Sequence, residues 1–133
     1  MSDKHIITGV VLFLLAIGVV LFAAFGGTAK EEPVETSSPV AQFAQCLKES
    51  GATFYGAFWC PHCRAQKELF GAAEKLLPYV ECSTADGNGQ LSICRDKEVK
   101  SYPTWEFSDG SRLTGERQFA ELAEKSGCPQ PSE

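Results

Sequence analysis

Histidine is scarce in this 133-residue chain: there are two, His5 and His62. A structural zinc site built from two cysteines and two histidines would need both, and they stand at the N-terminus and mid-chain. Only one Cys-x-x-Cys pair occurs, Cys60 and Cys63; the other cysteines (Cys46, Cys82, Cys94, Cys128) are widely spaced. A four-cysteine zinc cluster therefore also lacks its usual second pair, although Cys60-Pro61-His62-Cys63 taken alone could be half of a metal site. Basic charge is in deficit, with 12 Lys+Arg against 17 Asp+Glu and a net charge of -5. That balance argues against nucleic-acid binding, which calls for a basic patch. No internal repeat is visible, which sets solenoid architectures aside.

One long apolar run is present, from Ile6 to Phe25, interrupted by Thr8 and two glycines. Twenty residues at about 1.5 Å each span about 30 Å, the thickness of a bilayer core. A cleavable leader carries a shorter apolar region, of about 7–15 residues, so an uncleaved anchor is expected even though Gly27-Thr28-Ala29 could pass as a cleavage site. Lys4 and the amino terminus before the span, against Lys30-Glu31-Glu32 after it, give a slight positive-inside bias. Six cysteines in the remaining domain suit an oxidising compartment. The expected organisation is residues 1–29 as cytosolic tip and single-pass transmembrane anchor, 30–38 as a tether, and 39–133 as one extracytoplasmic domain (periplasmic, lumenal or extracellular).

Along that domain, Ser38-Pro39 supplies an N-cap and first-turn proline for a helix turning Val40, Phe43, Ala44 and Leu47 inward, closed by Gly51. Thr53–Trp59 reads as a buried strand. A helix is expected from about Cys60 to Leu77, with Leu69, Ala72, Ala73, Leu76 and Leu77 at three- and four-residue steps, and Pro78 stops it. A strand over Tyr79–Cys82 would complete a parallel crossover. A short helix is expected over Gln90–Lys97. A hairpin follows around Asp109-Gly110, with strands Pro103–Phe107 and Ser111–Gly115. A last helix, about Glu116–Ser126, would bury Phe119, Leu122 and Ala123.

This order places Cys60 at a helix N-terminus, where unpaired N–H groups and the macrodipole favour a thiolate. Two cysteines with two residues between them can there open and close a disulfide. The expected chemistry is thiol–disulfide exchange, with Cys60 as nucleophile, Cys63 as the resolving thiol and His62 as a further support of the Cys60 thiolate. The plain alternative for His62 is a solvent-exposed spacer.

Cys60-Pro61-His62-Cys63 together with Tyr102-Pro103-Thr104 resembles the thioredoxin superfamily. The runs Phe54–Cys63 and Gln66–Gly71, with Val80-Glu81-Cys82-Ser83 and Ser101–Trp105, are similar to the thioredoxin-like domain fused to, or partnered with, bacterial vitamin K epoxide reductase (VKOR) homologues. The likeness covers about residues 42–128. It implies an α/β thioredoxin-like three-layer fold, a mixed sheet flanked by helices. It also implies a cis bond before Pro103, with Tyr102, Pro103 and Trp59 in a substrate-binding surface; Trp59, Trp105 and Phe58 can equally serve as core. The function implied is a membrane-anchored dithiol oxidase that oxidises cysteines of exported proteins and passes electrons to a VKOR-type quinone reductase in the same membrane. A reductant or isomerase of that compartment, or a metal-delivery module using the two cysteines and His62, are the alternatives. No cofactor or resident metal is expected.

The resemblance includes Cys82 and Cys94 as a second pair, read as structural rather than as a redox shuttle. Cys46 falls on the buried helix face and Cys128 follows the last helix; the spacing leaves open whether they pair. One departure stands out. Thioredoxins carry a buried acid six residues before the first active-site cysteine, and this chain has Phe54 there. Proton transfer at Cys63 then falls to water, to His62 or to a nearby glutamate such as Glu68.

Overall fold

The computed structural model describes residues 37–132. The apolar run 6–25, and with it the expected anchor and most of the tether, lie outside the described residues. Among the described residues no helix is long and apolar enough to cross a membrane.

Helix α1 (Pro39–Glu49) begins where Ser38 accepts the Ala41 N–H at 3.1 Å, with Pro39 in the first turn. It buries Ala41, Phe43, Ala44 and Leu47. Gly51, at φ +82°, turns the chain into the sheet. Strand β1 (Thr53–Gly56) pairs parallel with β2 (Tyr79–Glu81) and antiparallel with β3 (Thr104–Glu106); β3 pairs antiparallel with β4 (Arg112–Thr114). The sheet order is β2-β1-β3-β4, a mixed sheet. Asp109-Gly110 makes the hairpin turn: Gly110 N–H donates to Phe107 O, and Phe107 N–H donates to Ser111 O.

Side chains alternate across β1 and feed two cores. Phe54 joins Phe43, Leu47, Phe70, Trp105 and Leu122, so the helical elements pack on that face. Tyr55 joins Cys82, Cys94 and Val99, with Cys94 brought in by helix α3 (Ser92–Asp96). The architecture is α/β, a mixed sheet flanked by helices.

Three elements differ from those expected by more than two residues. The strand stops at Gly56, and Ala57 O instead accepts the Cys60 N–H at 3.0 Å, so Phe58 and Trp59 are half exposed rather than buried. The long helix divides into α2 (Pro61–Glu68) and a 3-10 segment (Gly71–Leu76), because Gly71 adopts φ +53°. The break resets the helical phase: Phe70, Ala73 and Leu77 turn inward, whereas Leu69 and Ala72 are exposed. The last helix, α4 (Phe119–Ser126), starts three residues late. A capping box between Gln118 and Glu121 fixes its start, and Glu116 and Arg117 are spent on contacts to α2.

Four cysteines are cross-linked. Cys82–Cys94 ties the chain after β2 to α3, and Cys46–Cys128 ties α1 to the segment after α4. The sequence separations are 12 and 82 residues, so loop-closure entropy assigns stabilisations of about 3 and about 4.5 kcal/mol. Replacing both cysteines of either pair by serine is expected to lower the unfolding free energy by roughly 2–5 kcal/mol, with the larger loss for the Cys46–Cys128 pair. Urea titration of the two double variants checks the size and the order.

Candidate active site

Cys60 is the N-cap residue of α2 and Cys63 sits in its first turn, both as free thiols. Pro61 opens the helix with a residue that has no N–H to satisfy. The Cys63 N–H donates to Cys60 Sγ at 3.4 Å, so one of the helix's unpaired donors is directed at the first sulfur. Cys60 and Cys63 are 4% and 1% exposed. Thiol and dipole are thus held in one short segment, clamped at its start by the Ala57–Cys60 turn.

The floor of the site is Gly56. A Cβ there would lie 3.0 Å from Cys63 Sγ and 2.7 Å from Cε2 of Tyr79, so the helix start approaches the sheet as closely as it does because Gly56 has no side chain. Burial is the main cause that pushes the Cys63 thiol up, to about 12, with the hydrogen bond and charge of Cys60 adding to it; a backbone hydrogen bond at Ala57 and the charge of Lys67 oppose it.

The Tyr102–Pro103 peptide is cis and Pro103 is fully buried. Tyr102 O lies 3.8 Å from Cys60 Sγ, as the acceptor of its S–H. Trp59 packs edge-on to the Tyr102 ring at 6.0 Å, and its indole N–H donates to Ser83 Oγ at 2.8 Å while half of its surface faces solvent. Tyr102 thus meets the Cys60 sulfur directly, with Pro103 next to it in the chain and Trp59 packed on its ring. Trp105 is fully buried in the core, and Phe58 is exposed beside Trp59.

His62 points elsewhere. Its Nδ1 is 2.6 Å from Glu116 Oε1, and the imidazole is 68% exposed. Glu68 is exposed at the end of α2. Neither has a hydrogen bond to Cys60 or Cys63 among the described contacts. His62 is also not gathered with the thiols as a ligand set: among the described residues no group of three or more His, Cys, Asp or Glu side chains could hold a metal ion.

Two features escaped sequence reasoning. Gln66 is completely buried: its Oε1 accepts the Arg117 N–H at 2.6 Å and the Trp105 indole N–H at 3.4 Å, and its Nε2 donates to Arg117 O at 3.0 Å. It pins α2 to β3 and to the approach to α4. The available signal was one uncharged polar residue a helical step beyond Cys63. The second is Glu81, whose Oε1 accepts from the N–H groups of Ser83 (2.8 Å) and Phe58 (3.3 Å), while Oε2 accepts from the Tyr79 hydroxyl at 2.8 Å.

The raised Cys63 thiol has a definite consequence for stability. The unfolded chain loses this proton near the ordinary value of 9.0, whereas the folded chain keeps it until about 12. The stabilisation is therefore complete below about pH 9 and is lost as pH rises toward about 12. Tyr79, raised in the same direction by burial and by the Glu81 hydrogen bond, adds to that slope. Urea titrations of the reduced protein at stepped alkaline pH are expected to show Cys63→Ala losing stability less steeply than the unsubstituted chain. An equal slope would mean that Cys63 is not held protonated.

No protein-family model matches the chain. Among characterised proteins it is similar to the thiol-disulfide oxidoreductase LTO1 of Arabidopsis thaliana, with 45% identity over 103 residues. The matched region covers 74% of this chain and 27% of that protein, so the chain spans about a quarter of its relative's length. A buried dithiol at a helix start, beside a cis-proline, is placed for dithiol–disulfide exchange and lies in a chain homologous to an oxidoreductase of that class.

Proposed function

We propose that this chain is a membrane-anchored thiol–disulfide oxidoreductase that oxidises cysteines of exported proteins and is itself reoxidised by a VKOR-type membrane partner. The observation that carries the reading is the contrast within one set of six cysteines. Four are locked in disulfides that tie separate segments together, and the remaining two are free, paired across one helix turn with the Cys63 N–H on Cys60 Sγ. Cys60, at the N-cap, is the attacking thiol. Cys63, protonated at neutral pH, is the resolving one.

In the oxidising direction, a substrate thiolate attacks the Cys60 sulfur of the Cys60–Cys63 disulfide. The S–S bond breaks, Cys63 leaves with the electron pair and takes a proton, and Cys60 is joined to substrate. A second substrate thiol then displaces Cys60, so the substrate loses two electrons and two protons to the dithiol. Tyr102 and Pro103, beside the Cys60 sulfur, offer backbone for an extended substrate segment, and half-exposed Trp59 offers it an apolar face. The partner and the compartment rest on the family resemblance of residues 42–128 and on the apolar run 6–25. Anchoring both proteins in one membrane would raise their effective concentration for electron transfer.

Cys60→Ser is expected to abolish disulfide transfer, whereas Cys63→Ser accumulates mixed disulfides with substrate and partner; equal trapping by both variants would remove the assigned roles. The reduction potential of the couple is expected above the roughly −270 mV of thioredoxin. A value at or below it would favour a reductant instead. In intact cells a membrane-impermeant maleimide is expected to label reduced Cys60, and labelling only after lysis would overturn the topology.

A further inference from the structure

Phe54 occupies the position where an acid would serve the resolving thiol, and neither His62 nor Glu68 reaches it. The sheet offers another route. Phe54 pairs with Tyr79 and Gly56 pairs with Glu81 across the parallel β1–β2 ladder, so the side chains of Phe54, Tyr79 and Glu81 share one face with the bare Gly56. Cys63 lies on that face. The point where a Gly56 Cβ would stand is 3.0 Å from Cys63 Sγ and 3.4 Å from the Tyr79 hydroxyl oxygen, so thiol and phenol face each other over the glycine. The phenol O–H donates to Glu81 Oε2 at 2.8 Å. Glu81 is only partly buried and can exchange protons with solvent.

We propose that Glu81, acting through the Tyr79 hydroxyl, carries the proton to and from the Cys63 thiol. Tyr79 and Glu81 are positioning residues in this scheme, linking a thiol beneath the surface to water. The inference rests on the dithiol-exchange reading above. Thiol and phenol make no direct hydrogen bond in the resting dithiol, so the relay requires the two to close that gap as the bond at Cys60 is exchanged, either directly or through one water.

For the resolution of a mixed disulfide, the Cys63 proton passes toward Tyr79 as the phenol proton passes to Glu81. The Cys63 thiolate then attacks the Cys60 sulfur. The Cys60–Cys63 bond forms, the bond from Cys60 to the bound thiol breaks, and that thiol leaves as thiolate with the electron pair. The cysteine pair is oxidised by two electrons and the leaving sulfur is reduced. Oxidation of a substrate runs the same path backwards, with the relay delivering a proton to the departing Cys63.

Other charged groups facing the relay are few. Lys67 Nζ sits 3.4 Å over the Tyr79 ring centroid, where it draws negative charge toward the site, and Cys60 lies beyond Cys63. Burial, Glu81 and the two cysteines all hold the phenol protonated, so it acts as a relay and not as a resident base.

The test uses the full chain carrying glutathione as a mixed disulfide on Cys60. Glutathione release by Cys63 is followed from pH 5 to 10. Tyr79→Phe keeps the ring and its packing but removes the hydroxyl; Glu81→Gln keeps the shape but removes the base. Both are expected to slow release roughly a hundredfold near neutral pH, the low end for general acid–base catalysis. The deficit should shrink toward alkaline pH, because hydroxide takes a growing share of the Cys63 protons directly well before the thiol is half ionised. Glu81→Asp is expected to restore part of the rate, and the alkylation rate of Cys60 should not change. Profiles matching the unsubstituted chain, or a loss equal at every pH, would overturn the relay. Should one variant fail to fold, the other and the Glu81→Asp rescue still decide. If the unsubstituted chain releases no glutathione, the oxidoreductase reading itself fails, and the relay with it.

Discussion

The contact between Cys63 and Gly56 is the constraint on which the site depends. A helix start can approach a sheet this closely only where the strand has no side chain, and Gly56 would collide with both Cys63 and Tyr79 if it carried one. That closeness buries Cys63 and keeps it protonated, and it leaves Cys60 one residue outside the helix with a backbone N–H directed at its sulfur. The asymmetry between an attacking and a resolving thiol thus follows from one missing Cβ. It needs no charged residue beneath the pair.

Around this contact the chain arranges its polar groups so that each fixes an element. Gln66 satisfies both backbone groups of Arg117 and the Trp105 indole, in a core that otherwise offers them no partner. Glu81 holds the Phe58 and Ser83 N–H groups, which sets the loop leading into Cys60 and anchors Ser83 for its bond from Trp59. His62–Glu116 is an exposed pair at the rim, of the sort that contributes little to stability.

The local signals were legible wherever one strong rule acted alone. Ser38-Pro39 and Asp109-Gly110 stand where their chemistry requires, and the strand–helix junction at Cys60 follows from an apolar run meeting a helical period. What misled was hydrophobicity without a partner. Phe58 and Trp59 extend the apolar run, but β2 ends at Glu81, so no ladder exists for them and they turn outward. Leu69 fits the helical repeat, yet Gly71 breaks the phase in a way that composition cannot reveal, since a glycine within a helix need not adopt positive φ. Cys46 and Cys128 are 82 residues apart, and only the folded chain brings their Cα atoms to 5.9 Å. That Tyr79 and Glu81 share a face follows from the alternation of a strand, but that Gly56 and Cys63 face them depends on strand register, which no spacing rule supplied.

Phe54 shows what the departure from a buried acid accomplishes. Its ring lies 4.8 Å from Trp105, nearly parallel, and 5.1 Å from Tyr79, edge-on, so the centre of the sheet is closed by aromatic packing. A carboxylate there would need a hydrogen-bond partner or would be driven to its neutral form. When ionised it would also add a second negative charge beneath the dithiol. Removing that charge lowers the electrostatic cost of the reduced, thiolate-bearing state, which moves a dithiol couple toward the oxidising side. A carboxylate on the same sheet face, Glu81, instead lies at the outer strand, partly solvated and tied by three hydrogen bonds. An aromatic centre with the acid displaced to the sheet edge thus leaves the dithiol without a second negative charge directly beneath it.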